Sequence, residues 1–492
     1  MRIGGLASGM DIDSLVNQLM TAERIPLNKM EQDRTLLEWE RDGFREINTK
    51  LSELDNMMLD MKLSPTYNSK SVHSSNDSAV TATATSASSN GLYSLEVTDL
   101  ATSAMRISAP LNNVEDPSQP LDIDEFGTFT FSTYDENEKK MKAHEFEVTR
   151  GDSLNDVLKQ ITDADNNVRA FFDEQSKQVI LETTRTGDYN QEGDGKEISF
   201  DADNTFFTDV LQLDPAAEEK GGTDATFTYN KNLELTSKSN SYELNGITFQ
   251  FQDVGSANLT VNNDVDSAVE KITEFVEKYN EVVEEMSGTQ QEERYRDYPP
   301  LTDEQREEMS ESEIELWEER AKSGILRGES AITSGLFSMR QSWYANVETD
   351  GAFQSLTEVG ITTTSDYLDG GKLEIDEEVL RSKLEEDPAS VQQLFSNSSE
   401  GADRGLINRL EDSLGATMDQ IGERAGSGGD TLENYTLGRE MKDLEERITA
   451  FEDRLTQVEN RYWSQFTAME TAISRMNQQS TMLMNNFGGG NM

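Results

Sequence analysis

The sequence predicts an α+β multidomain protein, in which terminal helices form a coiled coil, a helical bundle follows, and β-rich domains are inserted between the helical ends. Two patterns predict this arrangement. Apolar residues recur every seven positions near both ends of the chain, and polar and apolar residues alternate along much of the middle. The length of 492 residues agrees, because ~100–200 residues per domain gives roughly three domains.

The N-terminal pattern begins after Asp11 or Asp13, either of which suits a helix N-cap. It places Leu15 and Leu19 on one helix face, together with the residues that follow each of them. Pro26 either interrupts this helix or lies in the first turn of the next one. Beyond it, a strict seven-residue spacing predicts a coiled-coil seam that ends at residues 64–65 and contains Met30, Leu37, Phe44, Leu51 and Met58.

The C-terminal end carries a matching pattern. Apolar residues follow alternating steps of four and three from Leu437 to Tyr462, where two consecutive four-residue steps form a stutter. No proline occurs in residues 431–492, so the pattern predicts one helix of about fifty residues. Because each terminal helix alone would expose an apolar stripe, we expect the two helices to pack on each other and on copies from other subunits. The alternative is an internal helical hairpin with no further assembly.

The middle of the chain is rich in predicted strands. Residues 79–85 alternate with a period of two, and Gly91–Val97 predicts a second strand after an Asn-Gly turn. Residues 168–171 and 179–182 predict a hairpin. Other segments complete the prediction: strands at 127–131, 144–148 and within 223–262, and helices at 153–161 and 266–286.

Two further segments connect helical parts of the chain. Residues 281–320 contain fifteen acidic and four basic residues, and the pairs Thr302/Gln305 and Ser310/Glu313 have the spacing of capping boxes, which predicts short helices. Residues 426–429, with the sequence Gly-Ser-Gly-Gly, predict a flexible linker before the last helix.

The charge of the chain limits its partners. With 95 acidic and 43 basic residues the formal net charge is −52, and no segregated basic patch offsets it, so a nucleic-acid partner is disfavoured. The absence of cysteine excludes disulfides, thiol catalysis and thiolate metal sites. No apolar run approaches the ~18 residues of a membrane span, and the N-terminus lacks a signal-peptide pattern. We therefore expect no membrane insertion, and either cytoplasmic residence or export by a route that needs no such signal.

The sequence offers no catalytic constellation. The two histidines, His73 and His144, belong to no triad or metal-ligand spacing, and no phosphate-binding glycine loop occurs. Asp163, Asp165, Asn167 and Glu174 have the spacing of a calcium loop, but Val168 stands where the sharp turn needs glycine. We expect no metal, no cofactor and no enzymatic activity.

Several motifs resemble one protein family. Residues 5–11 (GLASGMD) and 23–27 (ERIPL) are similar to the start of bacterial flagellar filament-capping proteins, the hook-associated protein 2 family. Residues 91–101 are similar to the rest of that N-terminal region, and residues 127–187 resemble the insertion motif of flagellins. Motifs similar to the C-terminal region of the family lie at 279–280, 300–305, 317–327, 360–361, 371–376 and 391–395.

The resemblance implies a division into parts. Residues 1–29 with 461–492 would form a terminal coiled-coil leg, and 30–67 with 263–460 a helical stalk domain with small β segments. Residues 68–126 with 188–262 would form a β-rich head domain, and 127–187 an inserted α/β module. The candidate self-assembly residues of the leg and its seam are Leu15, Leu19, Met30, Leu37, Phe44, Leu51, Phe451, Leu455, Val458, Phe466, Met469, Ile473 and Met476.

The resemblance also implies a function. The protein would be secreted through the flagellar type III route without a cleaved signal peptide. At the filament tip it would form a homo-oligomeric ring, which the resemblance implies is a pentamer. The ring would promote flagellin incorporation without covalent chemistry. A flagellar export chaperone would bind the C-terminal helix. The alternative is a tip adhesin that binds host or surface glycans through the β-rich domains. Because copies this acidic repel one another over a distance that salt shortens, we expect salt to promote assembly, as in a saline habitat.

Overall fold

The computed structural model describes residues 11–122, 127–191, 195–365 and 369–487. In chain order its helices are α1 (Ile12–Met61), α2 (Ser64–Asn68), α3 (Leu154–Asp163), α4 (Val265–Gln291), α5 (Asp303–Glu307), α6 (Glu311–Lys322), α7 (Ser330–Tyr344), α8 (Glu377–Glu386), α9 (Pro388–Ser396), α10 (Leu406–Ala425) and α11 (Thr436–Phe487). Its strands are β1 (Lys70–Ser74), β2 (Val80–Ala84), β3 (Gly91–Asp99), β4 (Ser103–Ile107), β5 (Gly127–Asp135), β6 (Lys140–Val148), β7 (Val168–Asp173), β8 (Gln178–Thr186), β9 (Ile198–Ser199), β10 (Ala225–Tyr229), β11 (Leu233–Ser237), β12 (Ser241–Leu244), β13 (Ile247–Phe251), β14 (Gly255–Asn263), β15 (Ile361–Thr363) and β16 (Leu373–Ile375).

The chain divides into a helical unit, residues 1–67 with 266–492, and a β-rich unit, residues 68–265. This mixture of long terminal helices and intervening sheets confirms the predicted α+β class. The terminal heptads account for the helical unit, since their apolar stripes need partners along their whole length.

A four-helix arrangement of α1, α4, α7 and α10 forms the body of the helical unit. The α4 and α7 helices meet where the rings of Tyr279 and Trp343 pack edge to face at 5.4 Å. The α7 and α10 helices meet at the hydroxyls of Ser342 and Ser413, 2.9 Å apart. Fully buried α1 residues fill the centre of the arrangement: Phe44, Ile47, Leu51, Leu54 and Met58.

The first helix runs through Pro26 without a break, which answers the open prediction at this position. Proline removes one backbone donor, a loss that a helix interior tolerates only when other contacts offset it. Here Met20 and Leu27, on either side of the proline, are both buried against α11, while Pro26 itself faces outward. Packing on the partner helix therefore holds the two halves of α1 in line.

The last helix is a single element of 52 residues, as the stutter pattern predicted. The glycine-rich segment that precedes it is held to α1 at its start, whereas Gly428 and Gly429 are exposed and a Cβ at either position would meet nothing within 4 Å. Arg45 of α1 donates its Nε to the carbonyl oxygen of Ala425 and its Nη2 to that of Ser427, each at 3.0 Å. Two glycines in this region adjoin the buried ring of Tyr435, and a Cβ at Gly426 would lie 2.4 Å from it. Gly426 thus permits close packing at the start of this segment, and the flexibility expected of residues 426–429 stays a prediction.

The acidic segment before α7 forms the two predicted short helices. Thr302 and Gln305 make a reciprocal capping box at the start of α5, and Ser310 and Glu313 make one at the start of α6. Both boxes satisfy backbone donors that would otherwise lack partners at a helix N-terminus.

Two antiparallel sheets form one part of the β-rich unit. The order of the larger sheet is β1-β14-β3-β10-β11, and that of the smaller is β12-β13-β2. Alternate residues of these strands, such as Leu95, Val97 and Leu259, point into a shared core. The predicted Asn-Gly turn before β3 does not make a hairpin, because β2 pairs with β13 while β3 pairs with β14 and β10. The two strands thus enter different sheets.

The other part of this unit is a module with its own core. It holds the sheets β4-β8-β7 and β6-β5-β9 and the helix α3, whose N-cap Ser153 makes a capping box with Asp156. The β7–β8 pair confirms the predicted hairpin. The module is wider than the predicted 127–187, because β4 pairs with β8 and later residues fill the core: Phe200, Phe206, Phe207, Leu211 and Leu213.

Candidate self-association surface

The α1 and α11 helices pack against each other in opposite directions. Tyr435, at the start of α11, lies over Arg45, with 5.4 Å between the guanidinium carbon and the ring centroid. Farther along α11, the hydroxyl of Tyr462 donates to Oε1 of Glu23 at 2.9 Å. Contacts that advance along α11 thus move back along α1, as in an antiparallel helix pair.

An apolar seam holds this pair together. Its buried members come from both helices, and half-buried residues flank them. The buried members are Ile12, Val16, Met20, Leu27, Leu444, Ile448, Leu455 and Val458, and the flanking residues are Met30, Leu37, Phe451, Tyr462, Trp463 and Phe466.

The predicted assembly residues fall into three groups. Phe44 and Leu51 are fully buried inside the helical unit, where they contribute to its own core. The second group lies in or beside the seam of the helix pair: Met30, Leu37, Phe451, Leu455, Val458 and Phe466. The third group remains accessible: Leu15 is 37% exposed, Leu19 39%, Met469 37% and Met476 65%, and Ile473 is half-buried.

The sequence alone did not show which side of the N-terminal apolar stripe would be buried against α11. Leu15 and Leu19 lie beside Val16 and Met20 on the same broad face, yet only the latter two are buried against α11. Ile12, one turn before Val16, is buried as well. Three apolar residues at four-residue spacing, Ile12, Val16 and Met20, make a longer apolar row than Leu15 and Leu19 do, and this length is the signal that favoured their burial.

Several apolar residues of the helix pair and of its C-terminal end remain accessible outside the seam. We use the name apolar flank for Leu15, Leu19, Met469, Met476, Met482, Leu483 and Met484. Four of these are methionines, whose flexible side chains adapt to irregular partners. The predicted leg also includes residues 1–10 and 488–492, which lie outside the described residues.

Carboxylates at the edge of the seam raise the pKa of neighbouring groups. The pKa of Tyr462 is raised, because its hydroxyl donates to the Glu23 carboxylate and loses that bond on ionisation. The pKa of Glu31 is also raised, first by burial and then by the nearby carboxylates of Asp303 and Glu452. Negative charge therefore gathers around a seam that is itself apolar.

Within the described ranges, no group of three or more His, Asp or Glu side chains is placed to hold a metal ion. The calcium-like spacing falls on the end of α3, on β7 and on the turn after it, with Asp163 ending the helix and Glu174 in the turn. No helix in the described part of the chain is both long enough and apolar enough to span a membrane.

Comparisons with known proteins identify the family. The protein-family model for the flagellar hook-associated protein 2 C-terminus matches residues 222–478, and the family model for the N-terminus matches residues 8–104. A flagellar hook-associated protein 2 from Halalkalibacterium halodurans is 38% identical, with 99% of this chain and 100% of the relative covered. The chain belongs to the flagellar hook-associated protein 2 family.

More distant relatives agree with this family. An A-type flagellar hook-associated protein 2 from Pseudomonas aeruginosa is 27% identical over 97% of this chain and 95% of its own length. The fold resembles the D1-D2-D3 domains of the flagellar cap protein FliD from Escherichia coli, with a TM-score of 0.56 and 18% identity over 76% of this chain and 95% of that one. As a member of this family, the protein is a flagellar cap protein with a structural role in filament assembly, and it is not an enzyme.

Proposed function

We propose that copies of this protein cap the filament by associating through the apolar flank of the α1–α11 pair. One observation carries the proposal: in a chain of net charge −52, nine large apolar side chains of the described α1–α11 pair remain accessible, and seven of them belong to the apolar flank. Burial of such side chains between subunits is favourable by roughly 1.5–3 kcal/mol for each one fully covered. The internal-hairpin alternative gives these residues no partner.

The ring places the apolar flank at its centre, where copies meet. A pentamer is the expected ring, by resemblance to the family. Flagellin subunits are the partner at the filament end, and a flagellar export chaperone is the partner of the C-terminal helix before assembly. Export follows the flagellar type III route to the filament tip. The tip-adhesin alternative has no specific observation in its favour.

A charge substitution in the apolar flank tests the proposal in cells. Met469→Glu combined with Met476→Glu places two charges on one face of α11, because these residues are seven positions apart. Thr467→Glu combined with Gln478→Glu adds the same charge about half a turn away and is the matched control. Both are expressed in a strain that lacks the native gene.

The expected result is a loss of filament growth for the methionine variant, with flagellin released into the medium as monomer. The control variant should restore filaments. Filaments of normal length from the methionine variant would contradict the proposed surface, and normal filaments from the strain that lacks the gene would contradict the capping role itself.

A further inference from the structure

The seam of the α1–α11 pair contains one polar position on the α1 side. Val16, Met30 and Leu37 occupy one row with a spacing of seven or its multiple, and Glu23 is the remaining member of that row. Glu23 is half-buried and accepts a hydrogen bond from Tyr462 at 2.9 Å. Tyr462 in turn continues the α11 row of Ile448 and Leu455. The two polar members of the seam therefore face each other.

The apolar members alone do not define how far α11 is placed along α1. Because both rows repeat every seven residues, a slip of seven residues again sets apolar side chains opposite one another. Such a slip moves one helix by about 10 Å, at 1.5 Å per residue. It would place Tyr462 opposite Val16 or Met30, and Glu23 opposite Leu455 or Met469. The carboxylate would then lose its donor beside an apolar side chain, which is unfavourable.

A second feature holds the other end of the pair. Tyr435 is 2% exposed at the turn that enters α11, and a Cβ at Gly438 would lie 2.7 Å from its Cζ, so glycine is required for this packing. The guanidinium of Arg45 lies over the same ring. We use the name Tyr435 anchor for Tyr435, Arg45, Gly426 and Gly438. The anchor ties the first turn of α11 to a fixed point on α1.

We propose that the Glu23–Tyr462 hydrogen bond and the Tyr435 anchor together fix the axial register of the α1–α11 pair. A single polar pair in a seam is a known means by which helices select one register at some cost in stability. In this chain the selected register determines which part of α11 extends beyond Ile12, and so how much of the apolar flank is presented. The inference concerns the fold of one chain and does not rest on the proposed function.

Spin-label distances test the register directly. The chain has no cysteine, so Gln18→Cys and Glu446→Cys give two defined labelling sites, both at exposed positions. The two sites are separated mainly along the helix axis, so a seven-residue slip changes their distance by close to 10 Å. Labelled protein is diluted with excess unlabelled protein, so that each measured distance lies within one chain.

The deciding variant removes both features. Glu23→Leu with Tyr435→Ala removes the carboxylate that pairs with Tyr462 and removes the ring of the anchor, and should add a second distance shifted by about 10 Å. Glu23→Gln with Tyr435→Phe is the matched control, since the amide oxygen still accepts the Tyr462 hydroxyl and the ring is kept. The control should show the single distance of the unsubstituted chain.

A folded double variant that keeps only the original distance overturns the proposal. If circular dichroism shows that this variant has lost helix, the decision passes to Glu23→Leu with Arg45→Ala, which leaves the Tyr435 ring in place. The second distance is again expected, and its absence again overturns the proposal. If the unsubstituted chain showed its single register but failed to cap filaments, the proposed function would be contradicted while the register proposal would stand.

Discussion

Two leucine-to-alanine variants should have different consequences, although all three leucines belong to the predicted assembly residues. Leu455 is 7% exposed within the seam of one chain, whereas Leu15 and Leu19 are 37% and 39% exposed. We expect Leu455→Ala to lower the stability of the helix pair, and Leu15→Ala with Leu19→Ala to weaken association between copies. The substitution chemistry is the same, so only the position of each side chain differs.

The magnitudes follow from these exposures. Full burial of a leucine side chain is favourable by roughly 1.5–3 kcal/mol, so the third or more that remains exposed on Leu15 and on Leu19 corresponds to about 1–2 kcal/mol for the two together. Because about 1.4 kcal/mol corresponds to a tenfold change in the dissociation constant, loss of both side chains should weaken association about 5- to 30-fold for each copy. Leu455→Ala should cost about 2 kcal/mol of folding stability, at the low end for core leucines because the seam is a two-helix interface.

The assay measures both quantities on the same preparations. Sedimentation at a series of protein concentrations gives the association constant, and thermal unfolding followed by circular dichroism at low concentration gives the stability of the single chain. The reasoning is refuted if Leu15→Ala with Leu19→Ala lowers the unfolding temperature as much as Leu455→Ala while the association constant stays unchanged.

Four further predictions follow from charge, burial and the ends of the chain. Self-association should strengthen between ~10 mM and ~1 M salt, because salt screens repulsion between acidic copies, and an unchanged association constant would remove this expectation. The unfolding temperature, measured relative to that of a Glu40→Gln, Glu219→Gln variant, should rise as the pH falls from 7 to 5. Burial raises the carboxyl pKa of Glu40 and Glu219 in the folded state, so their protonation favours folding and their contribution is lost as the pH rises through the raised pKa. Burial lowers the pKa of His144, which acts with the opposite sign in this pH range but is common to both proteins, and a relative unfolding temperature that stays flat or falls with decreasing pH would contradict the prediction. Ser153→Ala should lower the stability of the inserted module by about 1 kcal/mol in urea denaturation, since it removes the N-cap of α3, and Ser176→Ala in an exposed turn is the control. Removal of residues 1–40 or 465–492 should leave the β-rich unit folded by circular dichroism but abolish capping, and filament growth with either truncated chain would contradict the leg assignment.

The sequence by itself determined the long terminal helices and most of the strands. Seven-residue spacing gave α1 beyond Met30 and the full extent of α11, and the capping pairs Thr302/Gln305 and Ser310/Glu313 located two short helices. These features depend on contacts between residues three to seven positions apart, so local pattern is enough to predict them.

Only the tertiary structure decided which side of each pattern is buried. Leu15 and Val16 share a broad apolar face, and the position of α11 covers Val16 while it leaves Leu15 accessible. Packing on α11 also keeps α1 continuous at Pro26, and Arg45 of α1 holds the carbonyl oxygens of Ala425 and Ser427 at the start of the glycine-rich segment. Each outcome depends on a contact between α1 and the region from α10 to α11, hundreds of residues later in the chain, so the pattern within either segment is not enough to decide it.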